Sequence, residues 1–572
     1  MDIFTWLAAQ SPLIILFSTI AVGYLVGKFK VGTFVLGGIA GTLLVGVVFG
    51  QFGVSIDSGI KSIFFALFIY AVGYQGGPQF FRALSLKSLN QLISASLMCV
   101  VGLATVLAFA WLFNLDRGTA AGLAAGGLTQ SAIIGTAGET IQKLNISSDL
   151  KQIMETNIAV GYAVCYIFGS LGPIIMITWF FPTIMKWDIR AEALKLAEEM
   201  SGGSGALEPG QFNAASRIDT RFFKLLPQSQ WIGKSAKALD DSLDTLALEA
   251  VLRNGKEVDH AGAVPLQASD IVAVTGLVSA LETYEEALGQ ETTPPQNYRL
   301  VLENRHLVIT SNRFHESKLS SIHDHTNKNA LKDVFVTGVR RMGRSLPLLG
   351  SLQLHKGDEI QLTGSPADLN KVQGSIGYPI TAAAVTDFIF FGLGMTLGLL
   401  IGLIEFRIAG VPVTIGSGGG CLLSGLLFGW LRSTHPRYAA LPTGATNFLR
   451  DFGLAVFVGV VGITAGPQVL TTLKEQGLNL FLFGVGVTLI PQVIVFFFSY
   501  YVLKIRNPIE ALACVAGGRS ANPGFAALLA KAGNATPVVT FTVTYAVANV
   551  LLTLWGPLIV GLVTTNPLPL NP

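Results

Sequence analysis

The stretch Gly73-Tyr74-Gln75-Gly76-Gly77-Pro78-Gln79 sits in an apolar run near one end of the chain and recurs as Gly462-Ile463-Thr464-Ala465-Gly466-Pro467-Gln468 near the other. Further pairs follow in the same order. Gly37, Gly41, Gly46 and Gly50 share their spacing with Gly416, Gly420, Gly425 and Gly429. Gly126-Gly127, followed by Thr129 and Ser131, answers Gly517-Gly518, followed by Ser520 and Asn522. Tyr162-Ala163-Val164 with Gly172-Pro173 answers Tyr545-Ala546-Val547 with Gly556-Pro557. A chain written twice around a middle segment folds as two like bundles, and a site built from both lies where they meet.

Of the 572 residues only 13% are charged, about half the ~25% of a soluble protein, so both copies read as membrane bundles. A span needs about 20 apolar residues. Candidates in the first copy are roughly 12–27, 32–50, 62–77, 91–113 and 153–184; in the second they are roughly 384–405, 412–431, 452–468, 476–503 and 537–563. The run near residue 12 has no basic segment ahead of it and reads as a retained first span, not a cleaved signal. Two Gly-rich stretches, 118–141 and 511–533, interrupt their apolar runs with polar groups and, in the second, Pro523. Irregular backbone at membrane depth is tolerated only under protein cover or in a wet cavity. Both stretches are therefore expected to be re-entrant or broken helices, the alternative being ordinary helices with small residues at a packing seam. Five full spans per copy is an odd number, which inverts the second copy relative to the first. Loops on one side then carry Lys28, Lys30, Arg82, Lys87, Lys186, Arg190, Arg432, Arg437, Arg450, Lys504, Arg506 and Lys531. Loops on the other side carry Lys61, Arg117, Lys143, Lys151, Arg407 and Lys474, and the positive excess of the first set favours both termini outside and the middle segment in the cytoplasm.

The middle segment changes character. From about 206 to 376 short strands alternate with polar turns, and Val251, Arg253, Gly255, Lys256, Asp270, Gly276 and Leu281 recur 88 positions on as Val339, Arg341, Gly343, Arg344, Asp358, Gly364 and Leu369. Each unit reads as a strand, an Arg-x-Gly turn, a loop, an Asp before an apolar strand, and a helix. The expected domains are residues 1–185 and 377–572 for the membrane repeats, 186–205 for a linker, and 206–290 and 291–376 for two small α/β modules. These modules resemble the C-terminal ligand-binding domain of regulators of K⁺ conductance, the RCK-C or TrkA-C type. His315-Glu316 and His323-Asp324-His325 have metal-ligand chemistry, but a solvated polar loop is the favoured reading and no metal is expected. Cys99, Cys165, Cys421 and Cys514 all lie in apolar segments without C-x-x-C spacing and read as packing residues.

Charge inside a membrane segment costs roughly 2.5–3.5 kcal/mol on insertion scales, so such a residue is a functional candidate. Arg519, within Gly517-Gly518-Arg519-Ser520-Ala521-Asn522-Pro523, is the clearest. Its planar fork matches a carboxylate, and a broken-helix N-terminus beside it adds a positive dipole end. The alternative is that Arg519 reaches the surface or pairs with Glu510 or Asp451. Its counterpart in the first copy is Leu128, but Thr129, Gln130 and Ser131 bring hydroxyl and amide groups to the equivalent place. The expected binding residues are thus Arg519, Ser520, Asn522, Gly517, Gly518, Thr129, Gln130, Ser131, Gly126 and Gly127, with Gln75 and Thr464 behind them. An empty carrier that must move an uncompensated Arg519 would do so reluctantly, which predicts exchange instead of net release.

Gly27-Lys28 through Gly50, Phe64-Phe65-Ala66-Leu67 through Phe81, Gly126 through Ser131 and Gly517 through Pro523, with two RCK-C-like modules between, together resemble the aspartate:alanine exchanger family over nearly the whole chain. The resemblance implies a dimeric antiporter of the bacterial inner membrane, in lipid, taking up L-aspartate against L-alanine without cofactor, enzymatic step or nucleic-acid partner. Relatives of this kind also move succinate. In that family the residue before Gly76 is commonly charged, whereas here it is the neutral Gln75. The competing class is an ion channel gated by RCK-like modules, against which stands the lack of a TVGYG-type filter.

Overall fold

The computed structural model describes residues 11–31, 34–84, 88–201, 218–243, 246–258, 264–295, 298–319, 333–341, 344–379, 385–408, 411–435 and 438–565. The chain divides into two compact units, one formed by Met1–Ala193 with Ala384–Pro572 and one by Leu194–Ala383.

The first stretch runs α1 (Pro12–Gly27), a small hairpin of β1 (Lys30–Val31) and β2 (Phe34–Val35), α2 (Gly38–Gly50), α3 (Ser58–Ala83), α4 (Leu89–Leu112), α5 (Arg117–Gly127), α6 (Ala132–Gln142) and α7 (Ser148–Ile175). A π-helical turn at Met176–Phe180 carries α7 into α8 (Phe181–Met185), before α9 (Ile189–Ser201). The middle stretch holds β3 (Ile218–Lys224), α10 (Ala236–Ser242), β4 (Leu246–Arg253), β5 (Lys256–Val258), β6 (Ile271–Leu277), α11 (Val278–Leu288) and β7 (Gln290–Thr292). It continues with β8 (Glu303–Ile309), β9 (Val334–Arg341), β10 (Arg344–Ser345), β11 (Glu359–Gly364), α12 (Pro366–Ile376) and β12 (Gly377–Pro379). The last stretch repeats helix, hairpin, helix as α13 (Phe388–Gly402), β13 (Glu405–Ile408), β14 (Val411–Thr414) and α14 (Gly416–Thr434). It ends in α15 (Thr443–Tyr501), α16 (Pro508–Gly518), α17 (Asn522–Ala532) and α18 (Pro537–Leu562).

Among the described residues five helical segments are long and apolar enough to cross a membrane: Leu89–Leu112, Ser148–Met185, Thr443–Pro467, Gly477–Tyr501 and Pro537–Leu562. Pro12–Gly27, Gly38–Gly50, Phe388–Gly402 and Pro508–Gly518 are apolar but shorter. The spans expected at 452–468 and 476–503 are present as Thr443–Pro467 and Gly477–Tyr501; what was not expected is that the residues between them stay helical, so that both lie in the single 59-residue α15, which contains Pro467 and Pro491. The linking residues Leu473-Lys474-Glu475-Gln476 are good helix formers, so no strong stop signal separates the two runs.

The recurring glycines interlock the two stretches reciprocally. Gly73 and Gly77 on α3 lie against α14, where an added Cβ would come within 2.4 Å of the Leu422 carbonyl oxygen and 2.3 Å of that of Leu426. Gly462 and Gly466 on α15 lie against α2, where it would meet the Leu43 and Val47 carbonyl oxygens at 2.7 Å. Each copy of the motif therefore packs on the Gly-rich helix of the other copy, backbone against backbone. Small residues permit that approach in lipid, where helix association rests on close packing instead of water exclusion.

The middle unit contains two five-stranded antiparallel sheets with the same plan. Their strand orders are β5-β4-β6-β3-β7 and β10-β9-β11-β8-β12. A bulge leaves Glu249 unpaired on β4 between Leu248 and Ala250, and another leaves Thr337 unpaired on β9, 88 positions later. The 88-residue offset holds down to atoms. Arg253 donates from Nε and Nη2 to both Asp270 oxygens at 2.9 and 2.8 Å and to the Pro265 carbonyl at 2.8 Å. Arg341 does the same to Asp358 at 2.8 and 2.8 Å and to Gln353 at 2.9 Å. The Arg-x-Gly turn and the later Asp were legible as a recurring pair because one clamps the other.

Glu249 breaks the symmetry. It is only 8% exposed, and its Oε1 has no hydrogen-bond partner. Burial pushes its carboxyl up from the ordinary 4.5 to about 7, opposed by a hydrogen bond to Thr275 and reinforced by Asp368, Asp333 and Asp240. Between pH 4.5 and 7 the folded carboxyl keeps a proton that the unfolded chain has lost, so stability falls as pH rises through that window and then levels off. Glu249→Gln is expected to remove that slope and to stabilise the unit above pH 7 by up to about 3 kcal/mol. Unfolding midpoints of full-length protein at pH 5.5 and 8 check this; an unchanged pH slope in the variant would refute it.

Candidate functional site

The two Gly-rich stretches fold alike, residue for residue at their breaks. Asp116 caps α5 by accepting from the Gly118 and Thr119 amides at 2.9 and 3.2 Å, and Asn507 caps α16 by accepting from Ile509 and Glu510 at 3.0 and 3.3 Å. Both caps are the short polar side chains that satisfy first-turn N–H groups. At the other end the Thr129 amide donates to the Gly126 carbonyl and that of Gln130 to Ala125, while those of Ser520 and Ala521 donate to Gly517 and Ala516. This is the Schellman stop, which requires a left-handed residue. Here that residue is Thr129 (φ 54°) in one stretch and Ser520 (φ 52°) in the other, neither of them glycine. A left-handed residue with a side chain costs about 1–2 kcal/mol. Thr129→Gly is accordingly expected to stabilise the folded protein by about 1 kcal/mol, offset in part by glycine's greater unfolded freedom. A lower thermal midpoint in detergent would show that the turn is not strained.

Those two breaks meet. Arg519, 1% exposed, donates from Nη2 to the Gly127 carbonyl at the end of α5 at 2.6 Å and to Gly169 of α7 at 3.1 Å, and from Nη1 to Thr488 of α15 at 3.1 Å. Its Nε is buried without a partner. The Ser520 hydroxyl donates to the Gln130 side-chain oxygen at 3.4 Å, and the Gln130 amide reaches the Asn549 carbonyl and the Thr553 hydroxyl, also at 3.4 Å. Ser131 shares a 2.8 Å hydrogen bond with the Tyr162 hydroxyl. Asn522 points elsewhere: it is exposed and reaches Tyr545 at 3.4 Å. Gly126, Gly127 and Gly517 leave no room for a Cβ, which would come within 2.7 Å of the Tyr162 carbonyl oxygen, 2.8 Å of the Val487 side chain and 1.9 Å of the Thr544 hydroxyl. At Gly518 the nearest atom would be the Met98 Cβ at 3.2 Å.

Gln75 and Thr464 are not part of that cluster. The Gln75 amide donates to Asn447 at 2.7 Å, and its oxygen accepts from Arg450 at 2.8 Å. Thr464 instead lines a cavity of about 810 Å³ walled by α3, α6, α7, α13, α14 and α15. None of the other sequence-predicted residues borders it. Its ionisable side chains are Lys61, Lys143, Glu139 and Glu155. Lys61 Nζ meets Glu155 Oε2 at 2.8 Å, and Gln142 donates to Glu155 Oε1 at 2.8 Å. The Glu139 carboxylate accepts from the Ser417 hydroxyl and from the Gly418 amide at the start of α14. Sequence reasoning missed this group, although Glu139 was within reach as the one acid inside the first Gly-rich stretch. In the sequence Lys61 counts only as one of the loop charges, whereas it stands in the first turn of α3.

Among the described residues no group of three or more His, Cys, Asp or Glu side chains is placed to hold a metal. His315 and His355 rings lie 5.7 Å apart, while His323, Asp324 and His325 fall outside the described residues. All four cysteines are free and buried.

Comparison with known proteins decides the family. The family described as Predicted Permease Membrane Region matches residues 15–182 and 390–561, the two stretches that carry the paired breaks. The chain belongs to that family. The permease is 52% identical over 560 residues to an uncharacterized transporter of Francisella tularensis, covering 98% of each chain. It is 40% identical to one of Zymomonas mobilis (97% and 98% covered) and 33% identical to one of Bradyrhizobium diazoefficiens (98% and 99% covered). No solved structure matches it. The permease is a multi-pass membrane protein of transporter type with a separate, sheet-rich middle unit.

Proposed function

We propose that this permease is a secondary antiporter exchanging L-aspartate for L-alanine across the bacterial inner membrane. The observation that carries the reading is the crossing of the two broken helices at Arg519. A guanidinium is buried there on backbone carbonyls alone. Among the described residues no carboxylate pairs with it. A substrate carboxylate supplies the missing counter-charge, using the Nε–H that has no partner and trading a carbonyl bond for a charge-assisted one. Ser520, Thr129, Gln130, Ser131 and the glycines Gly126, Gly127, Gly517 and Gly518 form the walls of that site. Asn522, Gln75 and Thr464 serve the approach to it.

In the same reading the two bundles are inverted repeats of five spans within 1–185 and 377–572, with both termini outside. The middle unit is a cytoplasmic pair of RCK-C-like domains, 206–290 and 291–376, after a linker at 186–205, and the assembly is a homodimer. The matching Asx caps and left-handed stops at a constant spacing support the repeat; the two equal strand orders and the paired Arg–Asp clamps support the tandem modules.

Purified protein in alanine-loaded proteoliposomes tests the function. Radiolabelled aspartate should accumulate only when alanine is inside, one for one. Uptake driven by internal succinate and not by alanine would refute aspartate:alanine exchange in favour of a dicarboxylate carrier.

A further inference from the structure

We propose that the cavity between α3, α6, α7, α13, α14 and α15 is a binding site for a zwitterionic α-amino acid, with Lys61 taking its carboxylate and Glu155 its ammonium. The cavity does not include the Arg519 crossing; it is a second site, resting on the exchange reading above, where the amino-acid substrate is held by both of its charges. The cavity's volume, about 810 Å³, lies within the range of small-molecule sites. Its walls combine apolar side chains such as Phe65, Ile134 and Phe457 with few polar groups, the usual division between contact area and orientation.

The charge pattern selects the ligand. The wall's four ionisable side chains are two lysines and two glutamates. Lys61 from the first turn of α3 and Glu155 from α7 are each about one-fifth exposed, and they face each other at 2.8 Å. Gln142 fixes the second Glu155 oxygen, and its own carbonyl is held by Lys151 at 2.7 Å. A ligand carrying one charge of each sign can enter between Lys61 and Glu155 and replace one internal pair with two cross-pairs, leaving the cavity balanced. A plain dicarboxylate adds negative charge to a wall that already holds Glu139 and Glu155, and leaves Glu155 facing it. Like charges brought together in a low-dielectric site are what a binding site uses to exclude a wrong partner. The second cation, Lys143, lies within electrostatic reach of Glu139, and Glu139 in turn occupies the Ser417 hydroxyl and Gly418 amide at the start of α14. The Lys61–Glu155 pair is therefore the one that offers both poles.

Labelling at Ser62, an exposed cavity residue one position from Lys61, gives a readout that does not require transport. The four native cysteines are buried, so Ser62→Cys in the full chain provides the accessible thiol for a maleimide. L-alanine and L-aspartate should each slow labelling, while succinate, which lacks the ammonium, should do so at least roughly ten-fold less effectively, the effect of losing one charged hydrogen bond. Glu155→Gln in that background should reverse the order, since Lys61 is then uncompensated and the ammonium has no pole. Equal protection by succinate and alanine overturns the proposal. So does the absence of protection by either amino acid in a preparation that performs counterflow. Protection by alanine in a preparation with no counterflow upholds the amino-acid site and instead sinks the exchange reading. Should Glu155→Gln fail to fold, the comparison of alanine with succinate on Ser62→Cys alone decides.

Discussion

Arg519→Gln is expected to eliminate counterflow while leaving the protein folded. The guanidinium makes three hydrogen bonds to carbonyls of three different helices and is 1% exposed. Two opposing effects act on stability. Removing a buried positive charge relieves its desolvation, whereas the carbonyls of Gly127, Gly169 and Thr488 lose a donor that glutamine replaces only in part. These nearly cancel, so the thermal midpoint should move by only a few degrees. Transport has no such cancellation. A carboxylate bound to arginine gains about 1.5–3 kcal/mol per charge-assisted bond, so each bond lost to a neutral amide costs roughly 10- to 150-fold. Bidentate binding through Nε and one Nη makes the combined loss larger than either bond alone. The measurement is aspartate uptake into alanine-loaded proteoliposomes beside the melting curve of the same preparation. Counterflow within a few-fold of wild type would show that Arg519 only ties three helices together, and would remove the substrate from the break crossing.

Much of this site was legible in the sequence for local reasons. Gly126, Gly127 and Gly517 mark where the last turn of each helix packs too closely on its neighbours for a Cβ, and the polar residue two places after each glycine pair is what adopts the left-handed turn that stops the helix. Those signals lie within a few residues of each other, so one sequence exposes them. The 88-residue offset was equally readable, because the arginine and aspartate it preserves bind each other across one sheet edge. The partners of Arg519 were not readable. They are backbone carbonyls, which every residue owns, and only the packing of α5, α7 and α15 selects Gly127, Gly169 and Thr488. Lys61 and Glu155 illustrate the same limit: they stand 94 positions apart, each at a helix's polar end where a charge normally meets solvent. Nothing local distinguishes such residues from loop charges until the cavity between them is known. The unbroken α15 is a third case, since Lys474-Glu475-Gln476 has the polarity of a loop and the propensity of a helix, and the fold followed the propensity.

In the middle unit, Arg341→Ala is expected to destabilise the second sheet by about 3–5 kcal/mol, the cost of leaving one member of a buried ion pair behind. Arg341 and Asp358 have side chains 1% and 0% exposed. With arginine gone, Asp358 keeps the His355 amide at 2.8 Å, and water has no open path to replace two charged hydrogen bonds. Arg253→Ala removes the same two bonds from Asp270, but the Arg253 side chain is 25% exposed. Solvent can reach the gap it leaves, so its loss should be clearly smaller. The paired sites thus form an internal control in which chemistry and geometry are held constant and only solvent access differs. Pulse proteolysis of the full-length protein, scored by cleavage within the middle unit across a urea series, measures both variants on one scale. Replacing Arg341 and Asp358 together by methionine and leucine should recover most of the lost stability, because the desolvation cost leaves with the pair. Equal losses for Arg341→Ala and Arg253→Ala would mean that burial does not set the strength of these clamps.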